Sequence, residues 1–175
     1  NAGLFQQSID DFSQAIYSHE MMIKSVGDDI SRSAYMKRIL QALKFGNSQL
    51  FNKYKNRGSI FRKMDKFDEA LADYNKSIEL NIENAFVYHS RALLYYHNLK
   101  QDKKSLLDFS KAIELDSANR SFYYSRIKNY IQIGEYKNAE EDCNKTINLD
   151  RRDPEGYYHM STILLHQKKY LSAIN

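Results

Sequence analysis

Between Phe51 and Asn84 the apolar residues fall on two helical faces, separated by a polar break at Met64-Asp65-Lys66. Tyr54, Gly58 and Phe61 stand at offsets 0, 4 and 7, one face of a first helix; Phe67, Ala70, Leu71, Tyr74 and Ile78 form the face of a second. Gly58 and Ala70 are small where two helices must approach closely. A helix pair of this size cannot bury its apolar stripes alone and needs a copy of itself alongside. The pattern supplies copies. Tyr54, Tyr88, Tyr123 and Tyr157 recur at steps of 34, 35 and 34, and Ile78, Ile113 and Ile147 at 35 and 34. Leu80, Leu115 and Leu149 keep the same steps.

A period near 34 with helix–turn–helix content resembles the tetratricopeptide repeat. That family's pattern places a large aromatic at position 4, a small residue at 8, aromatics at 11, 17 and 24, Gly at 15, and Ala at 20 and 27. The copy at 51 offers Tyr54, Gly58, Phe61, Phe67, Ala70 and Tyr74, with Ser77 for Ala. The copy at 120 offers Tyr123, Tyr130, Gly134, Tyr136 and Ala139, with Ile127, Cys143 and Thr146 as departures. The copy at 154 offers Tyr157, Ser161, Leu164, Tyr170 and Ala173. The copy at 85 is one residue longer, and the turn around Leu99 to Asp102 is the expected place for the extra residue. The resemblance implies an all-α fold of stacked hairpins forming a right-handed superhelix, an α-solenoid, with repeats at 51–84, 85–119, 120–153 and a truncated 154–175.

The N-terminal part is less regular. Residues 4–19 read as the second helix of a repeat, so 1–19 is taken as a partial copy: Phe5, Ser8, Phe12 and Ala15 match positions 17, 20, 24 and 27. Residues 20–50 break the pattern and are read as a helical insertion that either extends the preceding helix or packs as a cap. Ser31 or Ser33 would cap a helix whose apolar face is Tyr35, Ile39, Leu40 and Leu43, stopped by Gly46-Asn47.

In the family the first helix of each pair lines the concave side, through positions 2, 5, 9, 12 and 13. The resemblance therefore implies a groove made by Lys55, Arg62 and Lys63, by Phe86, His89, Tyr96 and His97, and by Tyr124, Lys128 and Tyr158. Such a lining is basic at one end and aromatic in the middle, and suits a protein or peptide partner carrying acidic and apolar residues. Co-chaperones of the family grip a C-terminal carboxylate with five Lys, Asn and Arg positions. Here Lys55 matches, but Ser59, Ser90, Ser121 and Ser125 do not, so no such clamp is expected.

A second recurrence is not part of the family pattern. Arg57, Arg91 and Arg126 occupy position 7, where the family usually has leucine. Asp73, Asp108 and Asp142 occupy position 23 of the facing helix, with Asp11 at that place in the partial copy. An arginine between packed helices needs a carboxylate, so a row of structural ion pairs is expected, ahead of a ligand-binding arginine row. Met160 replaces Arg in the last copy, where the row should stop.

Composition narrows the function classes. The chain has 175 residues, 27% charged and 42% apolar, with one Pro and six Gly, as a helical globular chain should. The lone Cys143 gives no internal disulfide and fits a reducing, intracellular and cytoplasmic setting. At position 24 it reads as a packing residue. No apolar run reaches the length of a membrane span. From Glu20 to Lys66 there are 11 Lys+Arg against 4 Asp+Glu, a local net of +7 in a chain of +4. That asymmetry leaves RNA or another nucleic acid as an alternative partner. No phosphate loop, H-E-x-x-H or paired Cys/His spacing occurs, so neither catalytic residues, metal nor cofactor are expected. The reading is a non-catalytic interaction module or scaffold; the further alternative is the repeat region of a larger enzyme or multi-subunit assembly.

Overall fold

A computed structural model of the chain describes residues 2–27 and 49–174, and no strand occurs among them. The helices are α1 (Ala2–Gly27), α2 (49–63), α3 (Phe67–Leu80) and α4 (Ala85–Leu93). A π-helical turn, Leu94–Asn98, continues α4. Then come α5 (Asp102–Leu115), α6 (Arg120–Gln132), α7 (Tyr136–Leu149) and α8 (Pro154–Ile174). The chain divides into two compact units, Asn1–Ser90 and Arg91–Asn175.

In the first unit α2 and α3 form a tight hairpin. A Cβ added at Gly58 would lie 3.1 Å from the Asp73 Cβ and from the Tyr74 ring, so any side chain there would have to push α3 back by a few tenths of an ångström. Ala70 and Tyr74 are fully buried behind it. Ser77 Oγ donates to the Phe51 carbonyl at 2.7 Å, which satisfies the hydroxyl that stands where the family has Ala. α1 closes the unit through Ile16, which clusters with Leu50 and Tyr54, with Leu80 packed against them. α1 also runs unbroken past residue 20 to Gly27, so the irregular segment begins as an extension of the preceding helix. The cap and apolar face expected between Ser31 and Leu43 lie outside the described residues.

In the second unit α5, α6, α7 and α8 pack successively, and α6 also touches α8. Phe109, Phe122, Ile127, Cys143 and Ile163 are buried between them. Burial and the neighbouring Asp142 and Glu140 push the Cys143 thiol up to about 12, so it is an inert packing group.

The hairpin turns share one geometry. Lys66 N–H closes back on the Phe61 carbonyl at 2.9 Å, and Glu135 N–H on the Tyr130 carbonyl at 2.9 Å. The residue before each closing amide is left-handed: Asp65 at φ 58° and Gly134 at φ 80°. In the longer copy Lys100 takes that place at φ 54°. Its closing bond, Gln101 N–H to the Tyr95 carbonyl at 2.9 Å, spans one residue more. Leu99 N–H reaches the Leu94 carbonyl five residues back at 3.1 Å. The inserted residue is therefore wound into the helix at Leu94–Asn98, not added to the turn around Leu99 to Asp102. The cap geometry tolerates no extra residue, whereas a helix absorbs one by widening a single turn.

Links between hairpins repeat as well. The Asn81, Asp116 and Asp150 side chains accept from the amide two residues on. Asn84, Asn119 and Asp153 then accept an amide at the start of the next helix. The last copy differs. α8 continues unbroken to Ile174, so no turn separates Tyr157 from Tyr170 and Ala173. No glycine stands at position 15, where Lys168 continues a helix-forming run. Tyr54 and Tyr123 are 8% and 4% exposed, Tyr88 is partly buried, and Tyr157 is 52% exposed, with no second helix packed on it among the described residues.

Candidate partner-binding site

The residues predicted to be functional form two groups, one inside the hairpins and one on their accessible faces. Inside, Arg57 donates from Nε and Nη2 to Asp73 at 2.7 and 2.6 Å. Arg91 does the same to Asp108 at 2.7 and 2.8 Å. Arg126 does the same to Asp142 at 2.8 and 2.7 Å. The three aspartates are buried. The third guanidinium nitrogen of Arg57 reaches the Ser13 hydroxyl of α1 at 3.0 Å, and that of Arg126 reaches Ser110 of α5 at 2.8 Å. Each arginine thus ties its own hairpin shut, and these two also hold the preceding helix. Aromatic faces complete the cages: Arg57 lies 5.4 Å from Tyr54 and 5.7 Å from Phe61, and Arg126 lies 6.0 Å from Tyr123 and 5.6 Å from Tyr130.

The Asp73 hydrogen bonds raise the Arg57 pKa against the pull of burial. Burial works against the Arg126 charge too, and the bonds and field of Asp142 outweigh it. A side chain with its donors committed inside a hairpin has little left for a ligand, so the arrangement serves the fold. Met160, partly buried, carries no charge at the corresponding place on α8.

On the accessible face of the first unit, Lys55, Arg62 and His89 are partly buried, while Lys63 and Phe86 are exposed. Phe86 shows 54% of its surface. Burial lowers the His89 imidazole to about 4, so it is neutral at physiological pH.

On the second unit, Tyr96 donates to the Lys128 carbonyl at 3.3 Å and its ring leans on His97 at 4.5 Å. Lys128 Nζ faces Glu155 at 3.9 Å. Tyr124, expected to line a groove, instead covers α8: it is 7% exposed, with its ring 5.5 Å from that of His159. The open surface comes from α8, where Tyr158 and Leu165, seven residues apart on one helix face, are 66% and 61% exposed.

His159 was missed as a member of this face. It is 4% exposed, stacks edge-on with Tyr158 at 5.4 Å, and has its pKa lowered by burial and then by Lys128. Its place beside Tyr124 depends on how α6 meets α8, which no local pattern encodes. His166, seven residues on, stacks on Tyr136 at 6.1 Å instead, so the two histidines have different neighbours. Among the described residues no group of three or more His, Cys, Asp or Glu is placed to hold a metal ion, and no helix is long and apolar enough to cross a membrane.

The family model described as tetratricopeptide repeat matches residues 52–84, and a second model of that description matches 87–119. The TPR repeat-containing protein MJ1428 of Methanocaldococcus jannaschii is 28% identical over 97 residues. That alignment covers 55% of this chain, and the chain spans 16% of the length of that relative. Among solved structures, the first TPR of Spaghetti (RPAP3), bound to the HSP90 peptide SRMEEVD, matches with a TM-score of 0.63 at 22% identity. It covers 69% of this chain and 95% of its own. A tetratricopeptide repeat protein from Parabacteroides merdae matches with a TM-score of 0.66 at 20% identity, over 94% of this chain and 62% of that one. With two repeat models matched in tandem and hairpins closed in one register, the chain carries tetratricopeptide repeats over residues 52–84 and 87–119 and is similar to a repeat-containing relative.

Proposed function

We propose that this chain is a non-catalytic interaction module that binds a protein or peptide partner on the accessible faces of its first helices. The observation that carries this reading is the exposed pair Tyr158 and Leu165 on α8, with Tyr96 and Lys128 nearby on the same unit. Large side chains exposed together on one face mark a place where a partner is desolvated. Lys55, Arg62 and Lys63 on α2, with Phe86 and His89 on α4, give the first unit a basic face of the same kind. Acidic ligand residues suit the face of the first unit, and apolar ones that of the second. The fold is that of a module solved with the acidic peptide SRMEEVD.

The ligand is not expected to be a clamped C-terminal carboxylate. At the clamp positions the Ser59, Ser90 and Ser125 hydroxyls donate to the carbonyls four residues back, at 3.0, 2.8 and 3.0 Å. Lys55 is the single clamp cation retained.

The test is selection from a displayed peptide library, followed by titration against wild type and a Tyr158→Ala/Leu165→Ala variant. Both side chains are exposed, so the variant should keep its helical content. Selected peptides should bind in the micromolar range and lose at least about tenfold, as hot-spot truncation does. Unchanged binding would reject this face. Binding of generic RNA that falls steeply with added salt would favour the nucleic-acid alternative.

A further inference from the structure

We propose that the turns before α5 and α7 form a socket for an aromatic side chain of a partner peptide, flanked in that peptide by acidic residues. The socket is separate from the exposed face of α8. The inference begins from a register. The amides that close the three hairpin turns belong to Lys66, Gln101 and Glu135. The second helices that follow are each 14 residues long and open on Phe67, Asp102 and Tyr136. Two of the three hairpins thus place a partly buried aromatic ring just after the turn. The one between them places a carboxylate there.

What the ring does is visible in α7. Tyr136 stacks on His166 of α8, with ring centroids 6.1 Å apart and planes at 21°. At the same 30-residue step Asp102 meets Gln132 of α6, whose side-chain amide donates to the carboxylate at 3.4 Å. A carboxylate and an amide are smaller than two stacked rings, and they leave space. A cavity of about 610 Å³ opens beside Asp102, between residues 100–104 on one side and Ile133 and Glu135 on the other. That volume suits a bound side chain with its neighbours. Ile133, 40% exposed, gives the cavity an apolar wall on which a ring can lie.

The rim selects the charge of the partner. Lys100, Lys103 and Lys104 line the cavity and are exposed. Lys104 Nζ stands 5.5 Å from the centre of the Tyr95 ring. The two carboxylates of the lining are engaged by the protein itself: Asp102 accepts from Gln132, and Glu135 accepts from Asn138 at 3.2 Å. Three cations against two engaged carboxylates favour acidic residues on either side of the inserted ring. The chain's own segment 28–48 has the wrong charge for this place. Its aromatic residues Tyr35 and Phe45 lie among Arg32, Lys37, Arg38 and Lys44, and its acids are Asp28 and Asp29 alone. The three lysines repel such a segment, so an acidic peptide of another molecule is the better fit.

The test uses the nitrogen-15-labelled chain with three probes: an end-blocked peptide Gly-Glu-Asp-Tyr-Asp-Glu-Gly, the same peptide with alanine for tyrosine, and adenosine monophosphate. The tyrosine peptide should shift the amides of residues 100–104, Ile133 and Glu135 and bind at least about tenfold more tightly than the alanine peptide. Asp102→Tyr installs the ring with which α7 opens, so it should keep the wild-type melting midpoint and bind at least about tenfold more weakly. Lys100→Glu/Lys103→Glu, at exposed sites where folding is not at stake, should weaken the tyrosine peptide by a similar factor. Tyr158→Ala/Leu165→Ala should leave its binding unchanged, which separates the socket from the face of α8; a loss there would move the peptide to α8 and overturn the proposal. So would shifts confined to other helices, equal affinity of the two peptides, undiminished binding by Asp102→Tyr or by the lysine variant, or tighter binding of the nucleotide at the same amides. The free chain gives a last check. If Asp102→Tyr displaces the amide resonances of residues 28–48, the chain's own segment fills the socket and the proposal fails.

Discussion

Replacing Arg126 with methionine should destabilise the chain far more than any surface change. The substitution removes two bonds of 2.8 and 2.7 Å to Asp142, one of 2.8 Å to Ser110, and the packing of the guanidinium over Tyr123 and Tyr130. The Arg126 and Asp142 side chains are 17% and 8% exposed, so solvent screens the pair only slightly. Methionine keeps most of the aliphatic volume, and the main consequence is an unpaired buried carboxylate. Breaking a buried pair from one side costs about 3–5 kcal/mol.

In a chain of this length each kcal/mol moves the melting midpoint by about 2–4 °C, so a loss of roughly 6–20 °C is expected. Urea unfolding followed by circular dichroism at 222 nm, with hydrogen exchange on α6 and α7, reads the effect. The informative comparison is the double variant Arg126→Met/Asp142→Leu, in which neither charge remains. Its cost should fall to about 1 kcal/mol, roughly 3 kcal/mol less than that of Arg126→Met alone. A single-variant cost below about 1 kcal/mol, or a double variant as unstable as the sum of its parts, would refute the assignment of this row to the hairpin's interior.

Other substitutions test the remaining local claims. Gly58→Ala should lose about 1–3 kcal/mol in the same unfolding assay, because its Cβ would sit 3.1 Å from Asp73 and Tyr74, neither a flexible chain end. Asp65→Gly should gain about 1 kcal/mol, since φ 58° strains an L side chain; no change would mean the Asp side chain compensates. Lowering the pH should weaken the fold through His89, whose folded pKa of about 4 lies below the ordinary imidazole value of 6.5. The unfolded chain takes up the proton first, so this histidine's contribution is unpenalised above about pH 6.5 and erodes as pH falls toward 4, by up to about 3 kcal/mol. A His89→Gln variant should show a flatter urea midpoint between pH 7 and 5. An equally steep profile would exonerate His89.

Much of the fold was legible in the chain because a repeat writes its own alignment. The tyrosines at steps of 34 and 35, the small Ala70 and Ala139, and the Arg and Asp at fixed positions each recur under the same local constraint, so one copy interprets the next. Local rules failed where the answer depends on a neighbour. The extra residue near Leu99 was visible, but its absorption at Leu94–Asn98 follows from a turn that must close on Tyr95. Tyr124 and Tyr158 both stand at position 5 of their copies, yet one is 7% and the other 66% exposed, since α8 covers the first and no described helix covers the second. The amino-acid order thus determined which faces are apolar and which charges recur. Only the packed helices decided which of those faces meet, because burial belongs to a pair of surfaces and not to either one alone.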